Sequence, residues 1–115
     1  MSFRGFQIDA IEGAKLLLRD VHQDHRGNFS ELWRDQELFD LTGERFVQTN
    51  QSFSTMGVLR GMHLQKRNPQ AKLVTCLYGA VHDVVFDLRK HSSTYLKAFS
   101  ITLDWKRGES IFVPA

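Results

Sequence analysis

The sequence predicts an all-β protein, an antiparallel sandwich or barrel that forms one domain over residues 1–115. Short stretches rich in β-branched and aromatic residues alternate between apolar and polar positions, as strands do. Tight turn sequences separate these stretches, and only one stretch has a convincing helical pattern. Strands do not alternate with long helices, so a nucleotide-binding domain with a parallel sheet is not expected.

Eight stretches of the chain have the pattern or composition of strands. In order, they are residues 15–19, 29–33, 45–53, 58–65, 72–78, 81–88 and 96–103, with a last strand beginning at 111–113. Residues 24–28 (DHRGN) form a predicted turn in which Gly27 can adopt a positive φ. Gly79 and Ala80 separate two of the predicted strands by two residues, which predicts a tight hairpin.

Residues 35–41 predict the only helix, with Asp35 as its N-cap and Gly43 just past its end. The whole chain contains only two prolines, and it has no repeat or low-complexity segment. Cys76 is the only cysteine and stands among Val74, Thr75 and Leu77, so we expect a small core residue rather than a reactive thiol.

Composition excludes several classes of protein. The net charge of +2 comes from interleaved basic and acidic residues, without the basic block expected of a nucleic-acid-binding protein. No apolar run approaches the roughly 20 residues that span a bilayer, and the N-terminus lacks the apolar core of a signal peptide. With no disulfide framework either, the sequence predicts a cytoplasmic protein that partners neither nucleic acid nor membrane.

His63 is the leading candidate for chemistry. In a strand over residues 58–65 it shares a face with Gln65, while Arg60 and Lys72 lie near it in sequence. A lone histidine in a strand is more often a structural residue, but the glycines around it leave space for a ligand. We therefore expect a site that binds an anionic substrate and removes a proton from carbon.

A metal site is a natural alternative in a β-barrel that contains histidine. The general cupin pattern places Gly57 and His63 at the right spacing, but Gln65 stands where a second histidine ligand belongs. Lys72 occupies the position of the glutamate ligand, seven residues before Gly79. A cation at that position disfavours a divalent metal, so we expect neither a metal nor another cofactor.

Lys72 leads an apolar strand face, and it points either to solvent or into a cavity. If it points inward it needs an anion, and Asp83 or Asp87 of the next predicted strand could supply one. Aspartates inside an apolar strand are costly unless paired, which makes both of them candidates.

Taken together, six motifs resemble one family, the dTDP-4-dehydrorhamnose 3,5-epimerases, which are RmlC-like sugar-nucleotide epimerases of the cupin superfold. They occur in the family's order between about residues 15 and 115. The motifs are residues 24–31 (DHRGNFSE), 46–52 (FVQTNQS), 57–65 (GVLRGMHLQ), 71–74 (AKLV), 82–89 (HDVVFDLR) and 92–94 (SST).

The resemblance implies a single cupin-type jelly roll, a homodimer and an isomerase of deoxysugar biosynthesis. His63 matches the family's catalytic base, which would remove the proton next to the C4 ketone of a dTDP-4-keto-6-deoxyhexose, at C3 or C5. Lys72 would stabilise the enolate oxygen, and from the predicted strand pairing we expect Asp83 to orient Lys72. Five residues match substrate contacts: Arg60 a pyrophosphate contact, Gln48 and Asn50 nucleotide or sugar contacts, and Arg26 and Glu31 nucleotide contacts that cross a dimer interface.

The chain departs from the family in three places. The family usually has Leu and Tyr where this chain has Met62 and Leu64, and Gly where it has Ala71. Family members also continue beyond a segment like residues 111–115 (IFVPA), into strands that carry a second histidine, a carboxylate and a tyrosine acid. We therefore expect a C-terminally incomplete jelly roll. The alternatives are a truncated, non-catalytic sugar-nucleotide-binding homologue and a related single-centre epimerase or ketoisomerase.

Overall fold

The computed structural model describes residues 3–115, which fold mostly into strands with one short α-helix. The helix, α1, is Asp35–Thr42, and a single 3₁₀ turn spans Trp105–Arg107. The strands are β1 Arg4–Gln7, β2 Lys15–Leu18, β3 His22–Asp24, β4 Gly27–Phe29, β5 Lys72–Thr75, β6 Ala80–Phe86, β7 Ala98–Asp104 and β8 Glu109–Val113.

These strands form three antiparallel sheets. The largest has the order β1-β2-β8-β5, so a strand from late in the chain lies between two earlier ones. Its register places Ile111 of β8 between Leu16 of β2 and Val74 of β5. Strands β3 and β4 form one hairpin, and β6 and β7 form another two-stranded sheet.

β8 supplies both hydrophobic clusters of the core because successive residues of a strand point to opposite faces. Ile111 packs with Leu103 and the buried Cys76 in one cluster, and Phe112 packs with Leu17 and Leu38 in the other. Leu38 belongs to α1, so the helix covers this second face of the four-stranded sheet. The prediction of Cys76 as a buried core residue is confirmed.

The helix forms where predicted, but its cap is shifted by one residue. Arg34, with an extended backbone, is the N-cap, and Asp35 is the first helical residue. The positive end of the helix dipole stabilises a negatively charged side chain in the first turn, which accounts for Asp35 at this position. Gly43 ends the helix as predicted, with φ of 74° and a hydrogen bond from its backbone N–H to the Phe39 carbonyl.

Several strand predictions are wrong. Residues 43–71 contain no helix or strand, although residues 45–53 and 58–65 alternate well. The predicted hairpin at Gly79 and Ala80 is also absent, because β5 pairs with β8 and β6 pairs with β7. Residues 29–33 contribute only Phe29 to a strand. Alternation predicts which face each side chain takes, but a strand also needs a hydrogen-bonding neighbour.

A glycine after the 3₁₀ turn joins the end of β7 to the main sheet. Gly108 has φ of 67°, and its carbonyl accepts a hydrogen bond of 2.9 Å from the Arg19 backbone N–H. A Cβ atom at position 108 would lie 2.2 Å from the Arg19 carbonyl oxygen, which is backbone and cannot swing aside.

Replacing Gly108 by Ala should therefore destabilise the fold by about 2–3 kcal/mol, since left-handed strain and the displaced backbone add together. Gly43→Ala is the matched control, because φ is 74° there but nothing lies within 4 Å of the added Cβ. It should cost only about 1 kcal/mol of left-handed strain. Chemical denaturation of both variants measures the difference, and equal costs would contradict the assigned contact.

Candidate functional site

A cavity of about 770 Å³ lies among the start of β5, the segment before it and the end of β6. Its polar lining includes His63, Gln65, Gln70 and Lys72, and its apolar lining includes Val84 and Phe86. The structure thus brings the predicted base and the predicted cation to the same cavity, although they lie nine positions apart in sequence.

His63 reaches the cavity from the segment 43–71, beside a glycine. A Cβ atom at Gly61 would lie 3.6 Å from His63 Nδ1, an ordinary van der Waals contact, so the φ of 112° rather than lack of space favours glycine there. Lys72 is the first residue of β5 and pairs with Val113 of β8, which fixes its backbone in the main sheet. Both side chains are exposed to the open cavity, so an anionic ligand can reach them.

Sequence reasoning missed two further lysines of this cavity. Lys66 and Lys90 line it together with Lys72. Asp87 is the one carboxylate among the lining residues, and Arg89 already neutralises it. The cavity therefore has an excess of positive charge. The only sequence signal for these cavity lysines was the position of Lys66, directly after the motif that contains His63.

Asp87 follows β6 and is held by a dense set of hydrogen bonds. Its Oδ1 accepts from the Arg89 backbone N–H at 3.0 Å and from Arg89 Nε at 2.9 Å. Its Oδ2 accepts from Arg89 Nη2, Ser92 Oγ and Thr94 Oγ1 at 3.0, 2.5 and 2.7 Å. Arg89 Nη2 also donates to the Glu12 carbonyl at 2.6 Å. The Arg89 guanidinium and the two hydroxyls hold the pKa of Asp87 well below its usual range.

Asp83 lies on the same face of β6 as Asp87 but has different surroundings. It is half-buried, pairs with Ile101 of β7 and forms no ion pair among the described residues. Burial raises its pKa above the ordinary value. The strand pairing from which we expected it to orient Lys72 does not exist, because β5 and β6 belong to different sheets.

The predicted nucleotide contacts near the first turn lie away from His63. Arg26 sits in the turn between β3 and β4, where its Nη2 donates to Asp24 Oδ2 at 2.6 Å. That contact is the main reason the pKa of Asp24 is lowered. Arg26 lines a second cavity of about 430 Å³ with the rest of this hairpin. Glu31 forms an ion pair of 2.6 Å with Arg34.

The remaining predicted contacts all come from the segment 43–71. Gln48 Nε2 donates to Asn50 Oδ1 at 3.3 Å, so the two amides lie together although the strand predicted to hold them is absent. Arg60 Nε donates to Ser54 Oγ at 2.8 Å, and the guanidinium does not line the cavity of His63. All three side chains are exposed, which leaves most of their hydrogen-bonding capacity available.

Residues 3–115 contain neither a cluster of potential metal ligands nor a membrane-spanning helix. In this range no three histidine, cysteine or acidic side chains are placed so that they could share a metal ion. None of the helices in the described part of the chain has the length and apolar character needed to cross a bilayer.

Comparison with known proteins supplies the family. A family model described as dTDP-4-dehydrorhamnose 3,5-epimerase matches residues 9–115. Proteins of that name from Methanothermobacter thermautotrophicus and Salmonella typhimurium are 39% and 38% identical to this chain, each over 91% of its length. The chain spans only 57% and 59% of those two proteins.

Solved structures of similar proteins confirm the predicted cupin-type jelly roll. The dTDP-4-dehydrorhamnose 3,5-epimerase of Elizabethkingia anophelis superposes with a TM-score of 0.84 at 38% identity, covering 99% of this chain and 63% of its own. The Legionella pneumophila epimerase, solved in complex with dTDP-4-keto-L-rhamnose, gives a TM-score of 0.88 at 33% identity, covering 97% and 60%. The motifs, the fold and the family match agree, and the chain belongs to the dTDP-4-dehydrorhamnose 3,5-epimerase family.

Proposed function

We propose that this chain is a dTDP-4-dehydrorhamnose 3,5-epimerase-like isomerase that works by proton abstraction. Its substrate is a dTDP-4-keto-6-deoxyhexose, and the reaction begins with loss of a proton from the carbon next to the C4 ketone. One observation carries the proposal: His63 and Lys72 line the same cavity. They do so in a chain that matches the family over residues 9–115.

In this mechanism the His63 imidazole takes the proton from C3 or C5. The electrons of the broken C–H bond form a carbon–carbon double bond, and the carbonyl electrons move onto the oxygen to give an enolate. The Lys72 ammonium faces that developing charge and lowers the barrier by electrostatic stabilisation. Return of a proton to the carbon regenerates the ketone, and inversion follows when it arrives on the opposite face.

The nucleotide part of the substrate is assigned to exposed polar side chains elsewhere. Arg60 and Arg26 carry guanidinium groups that suit phosphate oxygens, while Gln48, Asn50 and Glu31 offer hydrogen-bonding groups for the sugar or base. The relative from Legionella, whose structure holds dTDP-4-keto-L-rhamnose, supports this ligand class.

The proposal has three further parts: a positioning residue, a homodimer and a cytoplasmic location. Asp83 is assigned as a positioning residue because it is half-buried without an ion-pair partner among the described residues, although it does not line the cavity of His63 and Lys72. A homodimer, with Arg26 and Glu31 reaching the neighbouring protomer's nucleotide, follows from the family resemblance. A reducing, cytoplasmic location is consistent with the buried free thiol of Cys76.

Replacing Lys72 by Gln should slow solvent exchange at the substrate carbon by about 10²–10³-fold, because the enolate loses its counter-charge. The measurement incubates the chain with the dTDP-4-keto sugar in D₂O and follows deuterium at C3 and C5 by NMR. Affinity for dTDP alone should change less than threefold, since Lys72 is assigned to the sugar.

Lys97→Gln is the matched control, because Lys97 is an exposed lysine outside the cavity. With this variant, deuterium should enter the sugar at the same rate as with the unaltered chain. Absence of deuterium at both carbons, in a sample that is folded and binds dTDP, would refute the proton-abstraction proposal.

A second candidate function is sugar-nucleotide binding without catalysis. The observation that favours it is that residues 43–71, which carry His63, are mostly exposed and contain no strand. A loosely held base loses much of the rate gained from fixed geometry. This candidate predicts that dTDP raises the melting temperature while no deuterium enters the sugar.

A further inference from the structure

We propose that Lys66 and Lys90 steer an anionic sugar nucleotide into the cavity of His63 and Lys72 by long-range electrostatic attraction. The inference rests on the proposed function, because it takes a nucleoside diphosphate sugar as the ligand that enters. It adds two residues that belong to none of the six sequence motifs. They raise the rate of encounter, and neither is assigned a contact with the reacting carbons.

The charges that line the cavity do not cancel. Lys66, Lys72 and Lys90 line it, and none of the three forms an ion pair among residues 3–115. Asp87 is the one carboxylate among the lining residues, and Arg89 Nε lies 2.9 Å from its Oδ1. Arg89 therefore compensates Asp87, and the three lysine charges remain to attract an anion.

The three lysines come from separate parts of the chain. Lys66 belongs to the segment 43–71, Lys72 begins β5, and Lys90 follows β6. All three are exposed, so their charges act through the solvent at the open side of the cavity. The lining also includes the apolar side chains of Val84 and Phe86. A concave site with apolar walls focuses the field of such charges and raises the local concentration of an oppositely charged ligand.

The cavity at the β3–β4 hairpin offers no comparable attraction. Apart from His22, its titratable lining residues are Asp24 and Arg26, which form an ion pair of 2.6 Å. Their charges cancel at long range. The field around the described residues therefore directs an anion to the cavity of His63 rather than to the hairpin.

Exposed lysines are better suited to steering than to fixed binding. Each ammonium is strongly hydrated and stands on a flexible four-carbon stem, so holding it in one geometry costs side-chain entropy. Attraction over a distance needs no fixed geometry. We therefore expect Lys66 and Lys90 to change the association rate constant of a nucleotide much more than its dissociation rate constant.

The test measures binding of 3′-N-methylanthraniloyl-dTDP by stopped-flow fluorescence, without any keto sugar. At about 10 mM salt, where the Debye length is about 30 Å, Lys66→Gln and Lys90→Gln should each slow association about threefold. The double variant should slow it about tenfold. At about 1 M salt, where the Debye length is about 3 Å, all chains should associate at equal rates. The dissociation rate constants should stay within about twofold of the unaltered chain.

Lys106→Gln is the matched control, because it removes the same charge from an exposed lysine outside the cavity. Lys106 follows the end of β7, where Asp104 pairs with Ala80, whereas the cavity is lined by the opposite end of β6. Its substitution should leave association unchanged at both salt concentrations. A dTMP probe with the same fluorophore carries less charge, so Lys66→Gln and Lys90→Gln should slow it less.

Four results would overturn the steering proposal. They are equal slowing by Lys106→Gln, slowing that persists at high salt, an effect confined to dissociation, and absence of any binding of the dTDP probe. Because the assay involves no turnover, it is separate from the deuterium experiment. A chain that captures the probe as expected but exchanges no deuterium retains the steering residues and loses the proposed catalysis.

Discussion

Replacing His63 by Asn should reduce deuterium incorporation into the dTDP-4-keto sugar by at least about 10²–10⁴-fold, the usual contribution of a general base. Asparagine keeps a polar side chain of similar reach but cannot accept the proton from carbon. The side chain at 63 is exposed and outside both hydrophobic clusters, so the free energy of unfolding should not change measurably. Single-turnover NMR in D₂O gives the rate, and thermal melting gives the stability.

His91→Asn is the control for this experiment. His91 is also exposed, but it does not line the cavity. Its substitution should leave the exchange rate within twofold of the unaltered chain. Exchange that survives in His63→Asn at more than a tenth of the original rate would show that another group removes the proton.

Replacing Asp87 by Asn should destabilise the fold by about 3 kcal/mol, the lower end of the cost of breaking a buried ion pair. The carboxylate accepts five hydrogen bonds, and an amide nitrogen cannot accept those that reach one of its two oxygens. Arg89 would then keep its charge without a partner at 87. Urea denaturation at neutral pH measures the loss.

The matched control is Asp83→Asn, which lies four residues earlier and points to the same side of the chain. Burial disfavours the charge of Asp83, whose pKa is raised, so a neutral amide there should leave stability unchanged or slightly increased. The two substitutions remove the same charge at positions four residues apart, one within β6 and one directly after it. A similar loss of stability in both would show that the hydrogen bonds of Asp87 are not the cause.

The dependence on pH separates the two aspartates further. The folded-state pKa of Asp87 is depressed, so its contribution is present above the unfolded value of about 3.9 and is lost as the pH falls below that value. The folded-state pKa of Asp83 is raised, so its protonation as the pH falls through that pKa favours the fold. Acid unfolding should therefore become less steep in Asp87→Asn.

The sequence was sufficient for the family and the helix, and it singled out His63 and Lys72, which line one cavity. Those predictions depend on local patterns or on motifs, such as Gly43 after the helix and the run from Gly57 to Gln65. It was insufficient for the partner of each strand. The two residues Gly79 and Ala80 between the predicted strands 72–78 and 81–88 indicated a hairpin. Instead β5 pairs with β8 and β6 pairs with β7, an arrangement that buries Ile111 and Leu103.

The composition of the cavity was also beyond sequence reasoning. Lys66 and Lys90 lie 24 positions apart, and nothing in the chain between them indicates that they line the same space. Asp87 looked equivalent to Asp83 because both occur on one face of an apolar strand. Only the fold shows that Arg89, Ser92 and Thr94 surround one of them and leave the other without an ion-pair partner.

The central place of β8 has a consequence for synthesis of the protein. Residues Glu109–Val113 lie between β2 and β5, so β2 and β5 have no direct contact as neighbouring strands. As the chain leaves the ribosome, the hairpin of β1 and β2 exposes Leu17 until residues about 95 positions later emerge to cover it. Completion of the four-stranded sheet therefore waits for synthesis of β8, and Leu17 lacks its neighbour Phe112 during that interval.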